Sequence, residues 1–291
     1  MRDKILITGA GGKLGHALIK RIGAEHIYGL DLYTDSLKGI LDANHIFTVK
    51  DFESKKIPLD EIKVIIHCAF ARSQDGAALA SSIDFSRDIF IAAVENNIPG
   101  VINISSQSIY GIYRDTPSTE DGSIDPMDMY AVAKYACEKL AKEISKNTKT
   151  KIASLRLASL IGPEFSERVV YKMVDAAVKT KNIKVVGGKQ VFSFLNIVDA
   201  ADGIAAMLNT KPNKWSEVYN LATDERYTIK EMADQIADVV KGTVVDFTPS
   251  ETHQSIKTNP NKFLNDFCWH AKLKLRDSIV GIYNTISGVQ K

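Results

Sequence analysis

The chain has 291 residues, of which 45% are hydrophobic and 25% charged, and its formal net charge is +2. These values are ordinary for a globular protein and leave room for one large α/β domain, with or without a smaller lobe. Lysines and acidic residues alternate without a basic block, so nothing in the sequence suggests a nucleic-acid partner. No apolar run of 18 residues is present, so no membrane span is expected.

The cysteines and the first residues bear on the expected compartment. Cys68, Cys137 and Cys268 are far apart and form no paired motif, so no disulfide framework is expected. The first residues have the pattern of a strand and lack the apolar run of a secretory signal. We therefore expect a reducing, cytoplasmic location. The histidines share no spacing that would form a metal site, so no metal is predicted.

Short apolar runs alternate with longer helical patterns through the first two thirds of the chain. The runs predicted to be buried strands are 4–8, 26–31, 45–49, 64–69, 101–105 and 152–157. The segments with helical periodicity between them are 13–24, 76–97 and 127–147. This β-α-β alternation predicts an α/β fold, a doubly wound parallel sheet with helices on both faces.

The order becomes less regular after residue 163. Asp199 is predicted to cap a helix over 199–208, and Thr228 with Glu231 forms the capping box of a helix over 229–241. The other elements predicted in this part are a helix over 165–179 and a strand over 183–186.

Two domains are predicted from this change of pattern. Residues 1–160, with about 190–225 returning to the sheet, are expected to bind the cofactor. Residues 161–189 and 226–291 are expected to form a smaller mixed α/β lobe that binds the substrate.

Three glycines follow the first strand and open the first helix. Gly9 permits a tight turn, Gly12 lets the backbone approach a pyrophosphate, and Gly15 lets helix and strand pack closely. The helix N-terminus would present its N–H groups and the positive end of its dipole to the phosphates. The segment therefore predicts dinucleotide binding, with Lys13 and Leu14 as further contacts.

The acid at the end of the second strand indicates which dinucleotide is bound. Asp31 would accept hydrogen bonds from both ribose hydroxyls and would repel a 2′-phosphate, so we expect NAD rather than NADP. Asp51, after the third strand, would meet the adenine amino group, or else is an ordinary loop carboxylate. Leu32 and Ala69 complete the cofactor contacts that we expect beside these strand ends.

Tyr130 and Lys134 lie one turn apart on the helical segment 127–147 and share a face. A tyrosine pKa near ~10 is too high for a base at neutral pH, but a neighbouring ammonium and a positive nicotinamide ring favour the phenolate. Tyr130 would take a hydroxyl proton as hydride leaves the carbon, and Lys134 would also hold the nicotinamide ribose. Ser106, at the end of the fifth strand, would donate to the same substrate oxygen, and Ser105 would contact the cofactor.

Taken together, these segments resemble the extended short-chain dehydrogenase/reductases of the NAD-dependent sugar epimerase/dehydratase type. The resemblance implies a Rossmann domain that binds NAD, a small substrate lobe and hydride transfer on a sugar. It also implies a homodimer through a four-helix bundle built from 76–97 and 127–147. The matching segments are 8–15, 67–69, 105–111, 119–121, 130–138, 156–163, 194–199 and 261–269.

Two neighbours of Ser106 depart from the family pattern. Dehydratases of the family carry Asp-Glu where this chain has Gln107 and Ser108, and some epimerase/reductases carry a cysteine in place of Ser108. An amide and a hydroxyl do not readily remove a carbon-bound proton or eliminate water. The departure leaves simple hydride transfer, or 4-epimerisation, in which hydride leaves and returns on the other face.

A second departure concerns phosphate binding. Phe192 stands where the family has an arginine, Ser159 stands where it has an asparagine, and residues 252–255 lack a further expected arginine. Because arginine binds a diphosphate bidentately and phenylalanine does not, the sugar is either nucleotide-linked and held by other residues, or smaller. Ser108, Arg72, Ser159 and Arg168 are the candidate substrate-binding residues.

Three functions therefore follow from the sequence. The first is an NAD-dependent enzyme that transfers hydride at a secondary alcohol of a nucleotide sugar, either as a 4-epimerase or as a dehydrogenase. The second is a dehydrogenase of a free sugar or sugar acid. The third is a protein that senses NAD(H) and regulates a partner without catalysis.

Overall fold

The structure, a computed structural model, describes residues 3–250 and 255–289. Within them the strands are β1 Lys4–Thr8, β2 Ile27–Asp31, β3 Ile46–Thr48, β4 Ile62–His67, β5 Gly100–Ser106, β6 Lys151–Leu157, β7 Ser159–Ile161, β8 Asn182–Val186, β9 Val191–Phe192, β10 Phe194–Asn196, β11 Val218–Leu221, β12 Tyr227–Thr228, β13 Val244–Thr248 and β14 Ser255–Ile256. The α-helices are α1 Lys13–Ile22, α2 Val49–Glu53, α3 Gly76–Glu95, α4 Met129–Ser145, α5 Val169–Thr180, α6 Ile197–Leu208, α7 Ile229–Val239, α8 Asn261–Phe267 and α9 Leu275–Ser287.

A seven-stranded sheet in the order β3-β2-β1-β4-β5-β6-β11 dominates the described part of the chain. β1 pairs in parallel with β2 on one side and with β4 on the other, and the pairs β2–β3 and β4–β5 are parallel as well. The predicted Rossmann-type sheet is thereby confirmed. Its chain order reverses at β1, and ligands of such sheets bind beyond the carboxyl ends of the strands at this point.

The chain divides into two compact units. The first consists of Met1–Ile109, Ile124–Arg156 and Ala201–Tyr219. The second consists of Tyr110–Ser123, Leu157–Ala200 and Asn220–Lys291. The boundaries are not those drawn from the sequence, because 110–123 falls in the second unit and the returning segment spans 201–219. The assignment of one domain to the cofactor and the other to the substrate stays a prediction.

The core of the first unit explains why its strands are uniformly apolar. Leu6, Ile65 and Val101 are almost completely buried in neighbouring strands, and Phe90 of α3 and Ala141 of α4 belong to the same cluster. Strands that are covered on both faces need apolar residues at successive positions, and this is why they read as continuous runs. α3 and α4 pack against each other in this unit.

The second unit has its own core and only short strands. Buried residues of α5, α7 and α9, among them Val174, Ile236 and Ile279, form one cluster with Ile183 of β8. The short strands make a β7–β10 pair, a β8–β13 pair and the triple β12-β9-β14. Thr228 and Glu231 form the predicted capping box at the start of α7.

Several predicted boundaries differ from the structure. α5 begins at Val169 rather than at 165, because the preceding residues form turns in which Phe165 and Arg168 donate their N–H groups to Gly162 and Phe165. The predicted cap at Asp199 is wrong, since α6 already begins at Ile197. The Asp199 carboxylate instead accepts hydrogen bonds from the backbone N–H groups of 272 and 273, at 3.1 and 2.8 Å.

Within the described residues, no helix combines the length and the apolar character needed to cross a membrane. Residues 252–254, where the sequence lacks an expected arginine, lie outside the described part of the chain.

Gly15 gives the first testable prediction. A Cβ at this position would lie 2.5 Å from the carbonyl oxygen of Gly9 and closer still to that of Ala10. Because both contacts are with backbone, Gly15→Ala should lower the free energy of unfolding in urea by about 1–3 kcal/mol. Gly76→Ala, at the first residue of α3 with no neighbour within 4 Å, is the matched control and should be neutral. Equal effects of the two substitutions would contradict the packing argument.

Candidate active site

The glycine turn closes tightly against two strands. Gly9 has φ 68° and donates its N–H to Leu30 at 2.8 Å, which places the turn over the end of β2. A Cβ on Gly9 would lie 2.7 Å from the backbone nitrogen of Ala69, just after β4. A side chain at Gly9 would therefore both strain the backbone and push against the next strand end.

The start of α1 fits a pyrophosphate. Gly12 is its N-cap, and within the described residues no side chain caps this helix. In contrast, Asp75 and Asp128 cap α3 and α4 with their carboxylates. Lys13 is the first residue of α1, and its first turn holds no acid that would repel a phosphate.

Asp31 is held at the end of β2 by backbone donors. One carboxylate oxygen accepts the N–H of Gly11 at 2.8 Å, and the other accepts that of Tyr33 at 3.2 Å. Leu32 beside it is 66% exposed. The carboxylate is thus oriented by the glycine turn itself and keeps lone pairs for further donors.

Asp51 has structural partners. It forms a capping box with Thr48 at the start of α2, accepting the Thr48 N–H at 2.9 Å, and Lys56 lies 3.4 Å away. Hydrogen bonds from Thr48, supported by Lys56, lower the pKa of Asp51. Of the two roles considered for Asp51, these contacts match that of an ordinary loop carboxylate. A contact between Asp51 and the adenine amino group stays a prediction.

A buried ion pair joins α4, the helix of Tyr130 and Lys134, to β6. Arg156 of β6 and Glu138 of α4 are 2.7 Å apart, with both side chains 4% exposed. Glu138 also accepts the hydroxyl of Ser105 at 2.5 Å. The Ser105 side chain is thereby committed to Glu138, and only its backbone remains for the predicted cofactor contact.

Lys134 is a buried ammonium that joins α4 to β5. Its Nζ donates to the carbonyl oxygen of Ile104 at 2.7 Å, and it lies 3.8 Å from the centre of the Phe70 ring. Burial lowers the pKa of Lys134 to about 8, and Glu138 and the thiols of Cys68 and Cys137 act in the opposite direction. The lysine therefore stays largely charged at neutral pH.

Tyr130 lies one turn before Lys134, as predicted, with its ring centre 5.9 Å from Nζ. The expected lowering of its pKa by Lys134 is not found in the protein alone. Burial raises the pKa of Tyr130, Arg72 lowers it, and Asp128 raises it. Arg72, predicted to bind substrate, thus lies where its charge favours the phenolate.

Ser106 accepts two hydrogen bonds from Ser108. The Ser108 N–H and hydroxyl reach the Ser106 oxygen at 3.1 and 2.9 Å. Because that oxygen is already an acceptor, the Ser106 O–H is turned away from Ser108 and stays a donor.

His67 is buried at the end of β4. Its Nδ1 lies 2.7 Å from the Thr8 hydroxyl and its Nε2 lies 2.9 Å from that of Ser86. Ser86 donates onward to the Ser82 carbonyl, so the ring carries its proton on Nε2. Burial, with Lys134 nearby, lowers the pKa of His67 to about 3, and the ring is therefore neutral.

The other substrate candidates lie in the second unit. Ser159 begins β7 and pairs with Phe194 of β10. Arg168 is the N-cap of α5, with its guanidinium 5.5 Å from the Phe165 ring. Within the described residues its buried Nε has no hydrogen-bond partner. Phe192, which replaces the family arginine, stacks on Phe194 at 5.9 Å.

The sequence predictions missed three residues of the site. Glu138 lies one turn after Lys134, so helical spacing alone would have placed it on the same face, but its partner Arg156 is distant in sequence. Phe70 carries no recognisable signal, since a phenylalanine after a buried strand is ordinary.

The buried ion pair gives a second prediction. Glu138→Gln leaves the guanidinium of Arg156 buried without its counter-charge, so it should lower the free energy of unfolding by about 3–5 kcal/mol. The double variant Glu138→Leu/Arg156→Met should recover part of this loss, which urea unfolding of all three proteins measures. Asp234→Asn, in the exposed Lys230–Asp234 pair of α7, is the control and should change little. A loss from Glu138→Gln as small as that of the control would contradict this account of the pair.

The sequence and the fold are similar to those of known sugar-nucleotide enzymes. The chain is 26% identical over 260 residues to the uncharacterized UDP-glucose epimerase YtcB of Bacillus subtilis, covering 81% of this chain and 82% of that protein. Its fold is similar to the UDP-N-acetylglucosamine 4-epimerase of Bacillus cereus, with a TM-score of 0.82, 20% identity and coverage of 99% and 98%. It is also similar to the UDP-glucuronic acid 4-epimerase of the same organism in complex with UDP-glucuronic acid and NAD, with a TM-score of 0.81, 22% identity and coverage of 99% and 100%.

The family of this chain follows from a match between its sequence and a protein-family model. Residues 5–222 match the model of the NAD dependent epimerase/dehydratase family, and this range contains the glycine turn, Asp31, Ser106, Tyr130 and Lys134. The predictions of an enzyme and of NAD as its cofactor are confirmed at this level. The chain belongs to the NAD-dependent epimerase/dehydratase family, whose members are enzymes of the extended short-chain dehydrogenase/reductase type.

Proposed function

We propose that this protein transfers hydride at a secondary alcohol of a nucleotide sugar, as a 4-epimerase or as a dehydrogenase. The observation that carries the proposal is the hydrogen bond from Lys134 to the Ile104 carbonyl. It joins the helix of Tyr130 to the strand that ends in Ser106, within one compact unit. A base, a cation and a hydroxyl donor are thereby supported at one edge of the sheet.

Named residues would hold the cofactor. The start of α1, with Gly12 and Lys13, would take the pyrophosphate, and Asp31 would accept the adenosine ribose hydroxyls. Lys134 has three N–H donors, of which Ile104 takes one, so others would hold the nicotinamide ribose. When bound, NAD supplies the hydride acceptor and a positive charge.

Tyr130 is the proposed base. In the protein alone burial raises its pKa, so cationic neighbours must stabilise the phenolate. Lys134, largely charged at neutral pH, and Arg72 are the cations that this chain provides. Tyr130 would remove the hydroxyl proton during oxidation and return it during reduction.

Ser106 is the proposed donor to the reacting oxygen. Both hydrogen bonds from Ser108 reach the Ser106 oxygen, so its own proton is available to the substrate. Hydrogen bonds arranged in such a chain strengthen one another. Ser108 would therefore act on the substrate through Ser106 as well as by direct contact.

The same segment supports hydride transfer without elimination. Gln107 is buried and Ser108 is engaged with Ser106, so the residues after the donor bring no carboxylate or thiol to this place. Loss of water or removal of a carbon-bound proton would need such a group. Oxidation, alone or followed by reduction on the other face, needs only the proposed base and donor.

Arg168 is the residue we propose for the phosphates of the substrate. Its buried Nε has no hydrogen-bond partner within the described residues, although the Glu167 carboxylate lies 3.9 Å away, and arginine binds phosphate through several N–H groups. Phe192, stacked on Phe194, stands where the family has an arginine, so one cation expected to bind a diphosphate is missing. This replacement favours the second candidate function, a dehydrogenase of a free sugar or sugar acid.

Three finer expectations stay proposals. A homodimer through α3 and α4 is supported by apolar side chains exposed on these helices, Ile91, Met129 and Val132. A cytoplasmic location is proposed on the sequence pattern. A regulatory protein that senses NAD(H) without catalysis remains the alternative from another class.

Tyr130→Phe tests the proposed base. It should lower kcat by about 10²–10⁴-fold because the proton acceptor is lost, while the Kd for NAD stays the same. Turnover is followed on a panel of nucleotide sugars by product analysis and by the absorbance of NADH. Product without net NADH release indicates an epimerase, and stoichiometric release indicates a dehydrogenase.

Tyr135→Phe, on the same helix, is the matched control and should retain activity. Full turnover in Tyr130→Phe would refute the assignment. A wild-type protein that is inactive on the whole panel, yet captures a partner only with one redox form of NAD, would support the regulatory alternative.

Arg168→Ala tests the substrate class. UDP-, GDP- and dTDP-sugars should raise the Tm of the NAD-loaded protein, and Arg168→Ala should remove most of this shift because the diphosphate loses its guanidinium. Lys179→Ala, at the other end of α5, is the control and should keep the shift. Stabilisation by free sugar acids alone would favour the second candidate function.

A further inference from the structure

Phe70 contacts both members of the Tyr130–Lys134 pair. The centre of its ring lies 3.8 Å from the Lys134 Nζ. The ring also meets the Tyr130 ring edge to face, with centres 6.0 Å apart and planes at 80°. Neither contact was anticipated from the sequence, and no role in the reaction described above depends on Phe70.

The backbone on both sides of Phe70 is held in place. Ala69 donates its N–H to the Thr8 hydroxyl at 3.3 Å, and Ala71 donates to the Ser82 hydroxyl at 3.0 Å. Thr8 ends β1 and Ser82 lies in α3, so two separate elements fix the segment. The ring is therefore positioned by the scaffold of the first unit.

The Lys134 ammonium needs such a neighbour. It is 4% exposed, and within the described residues its one hydrogen-bond acceptor is the Ile104 carbonyl. No carboxylate pairs with it there, and a buried charge without a partner is costly. The negative face of an aromatic ring attracts a cation, most strongly where water is excluded.

We propose that Phe70 is a positioning residue of the active site, whose ring holds the Lys134 ammonium by a cation–π contact where a carboxylate would otherwise be needed. Its relevance to catalysis rests on the proposed function of Tyr130 and Lys134. A carboxylate would hold the ammonium equally well but would cancel its charge. The ring stabilises the cation and adds no net charge, so the positive field at Tyr130 is preserved.

The groups that face Lys134 set the direction of the expected effect. Burial lowers the pKa of Lys134 to about 8, and removal of the ring would take away a contact that favours the charged form. The pKa should therefore fall further. The titratable groups around Lys134 on α4 and beside β4, which the test leaves unchanged, are Tyr130, Cys137, Glu138, Cys68 and His67.

The test compares Phe70→Leu with Phe70→Tyr. Leucine keeps an apolar side chain but lacks the π face, whereas tyrosine keeps the ring. Nuclear magnetic resonance of isotope-labelled lysine side chains gives the Lys134 pKa in the NAD-free protein, with Lys134→Met identifying the signal. Phe70→Leu should lower this pKa by about 1.5 units, the shift that corresponds to the loss of a desolvated cation–π contact, and Phe70→Tyr should leave it near the wild-type value.

Phe85→Leu is the matched control, because the Phe85 ring lies beside His67 at 5.8 Å and makes no cation–π contact with Lys134. If Phe70→Leu does not fold, Phe70→Met replaces it. In the active enzyme the alkaline limb of the kcat profile should move to lower pH in the leucine variant alone. An unchanged Lys134 pKa in the folded leucine variant would overturn the inference. Since this titration needs neither NAD nor substrate, it is independent of whether the proposed function holds.

Discussion

The burial of one ammonium group constrains the candidate site at the carboxyl ends of β4 and β5. Lys134 reaches from α4 to the backbone of β5 and lies under an aromatic ring that follows β4. A charge in such a place is tolerated only if its neighbours are fixed, since any gap would admit water or leave the charge unpaired. The ordered end of β5, from Ile104 to Ser106, therefore serves both the stability of the fold and the placement of the hydroxyl donor.

Burial also acts against Tyr130, the proposed base. Tyr130 is partly buried, and burial raises its pKa, so the protein alone does not favour a phenolate. Arg72 works in the opposite direction, whereas Lys134, 5.9 Å from the centre of the Tyr130 ring, does not lower the Tyr130 pKa in the protein alone. A phenolate would form at Tyr130 if the positive charge of bound NAD lowered the pKa that burial raises. Proton removal would then be coupled to occupation of the cofactor site.

Features that depend on local pattern could be predicted from the sequence, and features that depend on distant partners could not. The apolar strands and the glycine turn follow from periodicity and spacing, as does the pairing of Tyr130 with Lys134 along one helix. The prediction of Asp199 as a cap is wrong because the backbone donors that bind its carboxylate lie more than seventy residues further along the chain. Phe70, Glu138 and Arg156 acquire their roles only when separate elements pack together, so residue type alone did not mark them.

The central claim is that cations of this chain, together with bound NAD, stabilise the Tyr130 phenolate. An ultraviolet difference titration of tyrosinate in the NAD-loaded protein tests it most directly, with Tyr130→Phe identifying the signal and Lys134→Met removing the buried cation. The account predicts one tyrosine that titrates well below the ordinary pKa of ~10 in the wild type and is shifted upward in Lys134→Met. A Tyr130 that titrates at or above ~10 with NAD bound, unaffected by loss of Lys134, would contradict it.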